Sequence, residues 1–435
     1  MPRELSPFEL DRELARVAPR ARHAYRTLRA GGEVTLRIPD VLVDPETLEQ
    51  LADDTSDPIA APLLRWLYWL QLMQRALPLE GERVRQYRIE RHALDKPLSG
   101  HFSWRELLGH ALRDRGRRSH LLDVLWERGS DLRDAGSRLY ELRAGQPKFA
   151  GKDRAELEQS CPDVVEQARA LLTSSADAYG SLELYRLSDL LERALATAAA
   201  DGWPRQLSLR TLHDLLGSAD WLSGLKLDLG ELPAAVSAAS FVRGFARLGA
   251  AWSDALAPTQ QPYCIAHDAF GLQRAARGSL FASVPQCAPF LRRQLALGKE
   301  RAFEHGRALA GSTLIFARTL ALRVLQAEAA LRGPDALREV FSEQGTVVLG
   351  FEPPPPAAGL LFRPRLGDEQ RFAGLLLAAA REQELAEEHD DDWFRNPRAI
   401  DELRSEARQP PDTRCDAKSL ERGVKALTAS ITSRL

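Results

Sequence analysis

The chain has 435 residues, of which 44% are hydrophobic and 28% charged, with a formal net charge of −2. This length is enough to bury a large core and to hold more than one domain, and the balance excludes a disordered chain. The near-zero charge excludes a global attraction to nucleic acid or to acidic membranes.

Helix start signals run through the chain. Ser6 and Glu9 form a capping box with Pro7 at the first helical position; Pro19 is expected to interrupt this helix and Gly31-Gly32 to end it. Glu33 to Val43 alternates until Pro39 breaks it, which allows at most a short edge strand. Asp44-Pro45 opens another helix. Pro62 to Leu77 is apolar but shorter than a membrane span of about 20 residues. Arg65, Gln71, Gln74 and Arg75 interrupt it, so it reads as a central buried helix. Ser103 with Glu106 and Asp153 with Glu156 repeat the capping box.

Further on, Pro233 to Leu256 sets Phe241, Phe245, Leu248 and Trp252 on one stripe among alanines and glycines. Small residues let helices approach closely, so this segment predicts a central helix with neighbours on two sides. Lys299 to Leu331 predicts one helix of about 50 Å at 1.5 Å per residue. Its charges, among them Glu300, Glu304, Arg307 and Arg318, predict either a buried Arg–Glu network or the wall of a cleft. Thr346 to Phe351 and Gly359 to Phe362 flank the prolines at 353 to 356, which predicts a small β-hairpin within residues 346–363. Asn396-Pro397 and Asp416 are further helix caps. The fold class is therefore all-α, a multi-helix protein divided into regions 1–145, 153–332 and 334–435. The third region carries the extended segment.

No local motif announces catalysis. HExxH, GxSxG, the GxxxxGK[ST] phosphate loop and GxGxxG after a strand are all absent, and no cofactor is expected. Cys264 and His267 form a C-x-x-H pair that, with Cys287 and His305, offers zinc a tetrahedral set. The second pair lacks close spacing, and buried inert thiols are the plain alternative. The four cysteines are too few and too scattered for a disulfide framework. Arg113, Arg115, Arg117 and Arg118 make a basic turn that could hold a phosphate or a nucleic-acid backbone, with a solvated helix junction as the alternative. Glu387 to Asp392 carries His389 and offers oxygen ligands to a divalent cation, without the glycine and spacing of an EF-hand. Trp393, Phe394 and Arg395 follow it, and an exposed aromatic pair beside acids is suited to anchoring a partner.

The long helices, the lack of a large sheet and the small-residue helix at 233–256 resemble, in outline, the helical bowl of thimet-type oligopeptidases. The likeness implies a degenerate relative that binds peptides without cutting them. Those enzymes need HExxH, which no position matches, so it implies no catalytic residue. Taken together, the sequence predicts a cytoplasmic, non-catalytic scaffold or adaptor that binds a partner protein or peptide, with no membrane contact. A metal-dependent hydrolase with a dispersed site, or a degenerate peptidase-like protein, is the alternative. A nucleic-acid-associated role through the basic turn is the third reading.

Overall fold

A computed structural model of the chain describes residues 5–94, 99–114, 116–128, 142, 148–158, 161–232, 234–235 and 237–435. Its longer helices are α1 (Pro7–Ala30), α2 (Ala60–Val84), α3 (Trp104–Arg113), α4 (Arg118–Arg128), α5 (Val164–Ser174) and α6 (Ala238–Leu256). They continue with α7 (Leu272–Ser283), α8 (Lys299–Ala330), α9 (Pro334–Leu349), α10 (Asp368–His389), α11 (Pro397–Ala407) and α12 (Ala417–Thr432). The all-α class holds. Strands among the described residues are confined to two small antiparallel pairs, β1 (His92–Leu94) with β2 (Gly100–Phe102) and β3 (Lys148–Phe149) with β4 (Lys152–Asp153).

The capping boxes at Ser6 and Ser103 form as the sequence predicts, each serine accepting from the glutamate amide three residues on. Other expectations need correcting. α1 runs through Pro19, which lies on the exposed side of the helix. The Glu33–Val43 stretch contains no strand and ends in a single 3₁₀ turn, Asp40–Leu42. The predicted hairpin at 346–363 is helical instead: Thr346 to Leu349 finish α9, and Ala357–Leu360 is a short helix after the prolines. Gly350 at φ 76° closes α9 in the left-handed region, and of the run TVVL Val348 and Leu349 are buried while Thr346 and Val347 are exposed.

In the centre α6 packs on α7, α7 on α10, and α10 on α12, while α8 packs on α5, α9 and α10. Close approach explains the glycines of the small-residue helix. A Cβ at Gly278 of α7 would lie 2.8 Å from the Ala246 carbonyl oxygen of α6, and one at Gly249 would strike the Arg277 carbonyl in return. The Phe241, Phe245, Leu248 and Trp252 stripe is fully buried in an aromatic cluster with Trp221, Phe281 and Phe290. The Trp252 and Trp221 indole N–H groups donate to the Trp221 and Phe394 carbonyls at 2.8 and 2.7 Å. This satisfies the one polar atom each ring brings into the core.

α8 is long and apolar enough to cross a membrane, yet 67% of its apolar window is buried inside the protein, the property of a core helix. Its Arg318 is buried too, but carbonyls rather than glutamates surround it, which corrects the expected Arg–Glu network at this residue. Cys161 and Cys415 are joined as a disulfide across 254 residues, so one pair does form where the spacing gave no sign of it. Cys264 and Cys287 remain free thiols.

Candidate functional site

A cavity of about 790 Å³ opens between α1, α2, α6 and α7. Its floor is made by the small residues that let α6 and α7 meet: Ala246 and Ala250 from α6, and Ala275, Gly278 and Ser279 from α7. Residues without bulk at the crossing leave space beside it, so the sequence feature that predicts close packing also produces the cavity. Trp69, Leu72 and Met73 of α2 and Phe316 of α8 add an apolar wall, and Phe316 is 52% exposed.

The charged part of the lining is mostly basic. Arg22 and Arg26 project from one face of α1 at i,i+4 spacing, joined by Arg88, Arg247, Arg274 and Arg371, against the carboxylates of Asp228 and Glu231. Arg22 donates to the Asp268 carbonyl at 2.7 Å and lies over the rings of Trp66 and Trp69 at 4.8 and 5.8 Å. Arg26 pairs with Asp228 at 2.8 Å, Arg274 with Asp254 at 3.2 Å, and Arg371 with Asp368 at 2.8 Å. Burial lowers the pKa of Arg274, and the like charges of Arg22, Arg26 and Arg371 push the same way, opposed by Asp254.

A second cavity of about 320 Å³ shares Arg22, Gly271 and Arg274 with the first. Its wall includes His267, Asp268, Arg277, Arg381 and Glu406. Burial, helped by Arg22, lowers the His267 pKa to about 4, so the ring is neutral at pH 7. The buried Asp268 carboxylate accepts from the Phe270 and Leu272 amides at 3.1 and 2.6 Å and so organises the entry to α7; burial raises its pKa against the pull of Arg65.

The residues singled out from sequence fall elsewhere, apart from His267. Trp393 and Phe394 sit in a 3₁₀ turn that rotates both rings into the aromatic core, at 3% and 0% exposure, while Arg395 stays exposed. The expectation of exposed rings is corrected: the acids beside them mark the end of α10, and the rings themselves pack against Trp221 and Phe290. In the basic turn, Arg115 lies outside the described residues. Arg118 is buried, donating to the Ala111 and Leu112 carbonyls and pairing with Glu192 at 3.2 Å. Arg117 pairs with Asp114, and Arg113 is exposed.

Cys264, His267, Cys287 and His305 are not brought together. Cys264 lies in the core of α1 and α2, its thiol pKa raised by burial and Asp11, whereas Cys287 packs against the aromatic cluster. His305 is fully buried, and neither ring nitrogen has a hydrogen-bond partner. The three side chains that do converge among the described residues are Glu388, His389 and Glu402. Glu402 is already engaged by Arg381 and by His389 at 3.1 Å, an ion-pair network on the surface of α10 and α11. A zinc ion of the HExxH kind does not fit the cavities, since the motif is absent from the sequence and no convergent His/Cys/carboxylate set lines them among the described residues.

Sequence reasoning missed the arginine-lined cavity because its charges come from several separate elements. One signal was present: Arg243, Arg247 and Asp254 are charges on a helix otherwise built mostly of small, aromatic and aliphatic residues, and of the three it is Arg247 that lines this cavity.

No protein-family model matches the chain, and no curated protein does. Among solved structures it is similar to the crystal structure of a protein from Bacillus anthracis str. Ames assigned as an oligoendopeptidase F. That match has a TM-score of 0.51 and 10% sequence identity, over 90% of this chain and 82% of the other. The likeness is one of fold and spans nearly the whole molecule. It overturns the expectation of a non-catalytic scaffold or adaptor, whose contact pair, Trp393 and Phe394, is in any case core.

Proposed function

We propose that this chain is a peptidase-like protein that takes short peptides into the cavity between α1, α2, α6 and α7. The observation that carries the reading is the oligoendopeptidase-like fold, which extends over 90% of the chain rather than over one motif-sized part. The cavity supports it. Its volume of about 790 Å³ falls within the roughly 300–1,000 Å³ of pockets that enclose a ligand, and it joins an apolar wall to convergent polar groups. The sequence contains no HExxH, so no hydrolytic step through a metal follows from these residues; what they provide is a site that holds and orients a ligand.

The test is fluorescence anisotropy with a pool of labelled hexapeptides on the full chain, with mass spectrometry of the same mixtures to read any cleavage. Saturable uptake is expected, with one peptide per chain. Ser279→Trp, which fills the cavity from the α7 side, should abolish it. A pool that is neither bound nor cut, or one bound equally well by the Ser279→Trp protein, overturns the reading.

A further inference from the structure

We propose that the cavity selects acidic peptides, binding one or more carboxylates at its arginine wall while an apolar side chain rests on Trp69, Met73 and Phe316. This rests on the peptide reading above and adds a substrate class to it.

Charge is the first argument. Arg22, Arg26, Arg88, Arg247, Arg274 and Arg371 outnumber the carboxylates beside them, Asp228 and Glu231 in the lining and Asp254 and Asp368 paired with Arg274 and Arg371, in a molecule whose overall charge is −2. The positive potential is therefore local to this concavity, where a low-dielectric wall focuses it.

The second argument is how these groups are held. Arg22 is positioned by a backbone carbonyl and two indole faces, so its place in the wall does not depend on an ion pair. The Arg26–Asp228 pair has a carboxylate 70% exposed, and such a pair exchanges at little cost for a better-placed anion, while Arg371 is itself 40% exposed and can take a second anion beside Asp368. The guanidinium groups also crowd one another, since Arg22, Arg26 and Arg371 all act against the charge on Arg274. An incoming carboxylate relieves that repulsion and matches the planar fork with two parallel hydrogen bonds.

The third argument is shape. A cavity of this volume with an apolar side admits a few residues of peptide and excludes a nucleic-acid duplex. Its exposed ring, Phe316, offers an apolar seat that inorganic phosphate cannot use.

The experiment compares two labelled hexapeptides with amidated C-termini on the full chain, one carrying two glutamates before a phenylalanine, the other its glutamine counterpart. Inorganic phosphate serves as competitor. The glutamate peptide should bind at least about tenfold more tightly, the scale of charge-assisted hydrogen bonds, and its affinity should fall as salt rises. Arg371→Gln, a partly exposed position, should weaken the glutamate peptide about three- to tenfold and leave the glutamine peptide unchanged. Arg274→Gln should do the same with a larger effect, provided its far-UV circular dichroism matches the parent. Equal binding of the two peptides overturns the selectivity while leaving the peptide site standing. Loss of both peptides overturns the peptide reading itself. Displacement of the glutamate peptide by micromolar phosphate overturns the peptide assignment in favour of a phosphoryl ligand.

Discussion

Replacing Arg318 should unfasten three helices at once. Its guanidinium donates to the Val348 and Val347 carbonyls in the last turn of α9, both at 3.1 Å, and to the Leu172 carbonyl at 2.8 Å and the Ser175 hydroxyl at 2.9 Å where α5 ends. It also lies 4.3 Å from the ring centre of Tyr179, whose hydroxyl donates to the Leu349 carbonyl. The last carbonyls of a helix have no partner within it and carry the negative end of its dipole, so one buried cation serves two C-termini. In Arg318→Leu the Val348 and Leu172 carbonyls lose this donor inside the core, at about 1–3 kcal/mol each. The Ser175 hydroxyl keeps its bond to the Leu171 carbonyl, and Val347 is an exposed residue whose carbonyl can turn to water. Removing a buried cation recovers part of the loss, which leaves a net cost of about 3 kcal/mol. Arg318→Lys should cost roughly half of this, because a single ammonium cannot span both helix ends. The assay is urea unfolding followed by circular dichroism at 222 nm, with the midpoint compared at constant slope. A leucine variant as stable as the parent would refute the claim that these carbonyls depend on Arg318.

Further outcomes follow from the same structure. Glu80 and Arg363 form a buried two-pronged pair at 2.7 and 3.2 Å, so Glu80→Gln should destabilise by about 3–5 kcal/mol, whereas Glu80→Met with Arg363→Met should recover most of that in the same urea assay. The lowered pKa of His267, about 4, and the lowered pKa of His305 mean that protons bind the unfolded chain more readily. Stability should be full above about pH 6.5 and decline as pH falls towards 4, and His267→Gln should flatten that decline; a pH-independent midpoint over this range would contradict it. His305→Leu should raise the midpoint, since it removes two buried ring nitrogens without partners. Thiol titration of the denatured, unreduced chain should find Cys264 and Cys287 alone, and Cys161→Ser should lower stability by up to about 5 kcal/mol from the 254-residue separation. Four reactive thiols would show that the bridge does not form.

The parts of the fold readable from sequence were those whose cause is local. Ser6 and Ser103 cap helices because a side-chain oxygen and a glutamate three residues on suffice to satisfy the first amides, whatever lies around them. The Phe241–Trp252 stripe is legible for a related reason, since one period defines one face. The misreadings lie where tertiary contacts outvote local preference. The TVVL run has the composition of a strand, yet Val348 and Leu349 are buried against α8 and the segment stays helical. Trp393 and Phe394 look like surface anchors beside a run of acids, and a single 3₁₀ turn sends them inward.

The site was illegible for a different reason. A guanidinium wall is a property of a surface, and its members at 22, 26, 88, 247, 274 and 371 share no spacing that a linear reading could use. What the sequence did contain was the condition for the cavity, a helix of small residues able to approach its neighbour, with Arg247 among the three charges upon it. Gly249 and Gly278 bring α6 and α7 into contact, Ala246 and Ala250 keep the volume beside that contact open, and Arg247 turns the same helix into part of the basic wall. Packing and recognition thus arise from alternate faces of one helix: its aromatic stripe is fixed by the core, which leaves the opposite face to be chosen for the ligand. A substitution on the buried stripe, such as Phe245→Ala, should therefore lower stability and binding together, by about 3–5 kcal/mol in the former. Arg247→Gln should shift the preference between acidic and neutral peptides with a smaller change in the unfolding midpoint. If the two variants proved indistinguishable in those two measurements, the division of this helix between core and cavity would be mistaken.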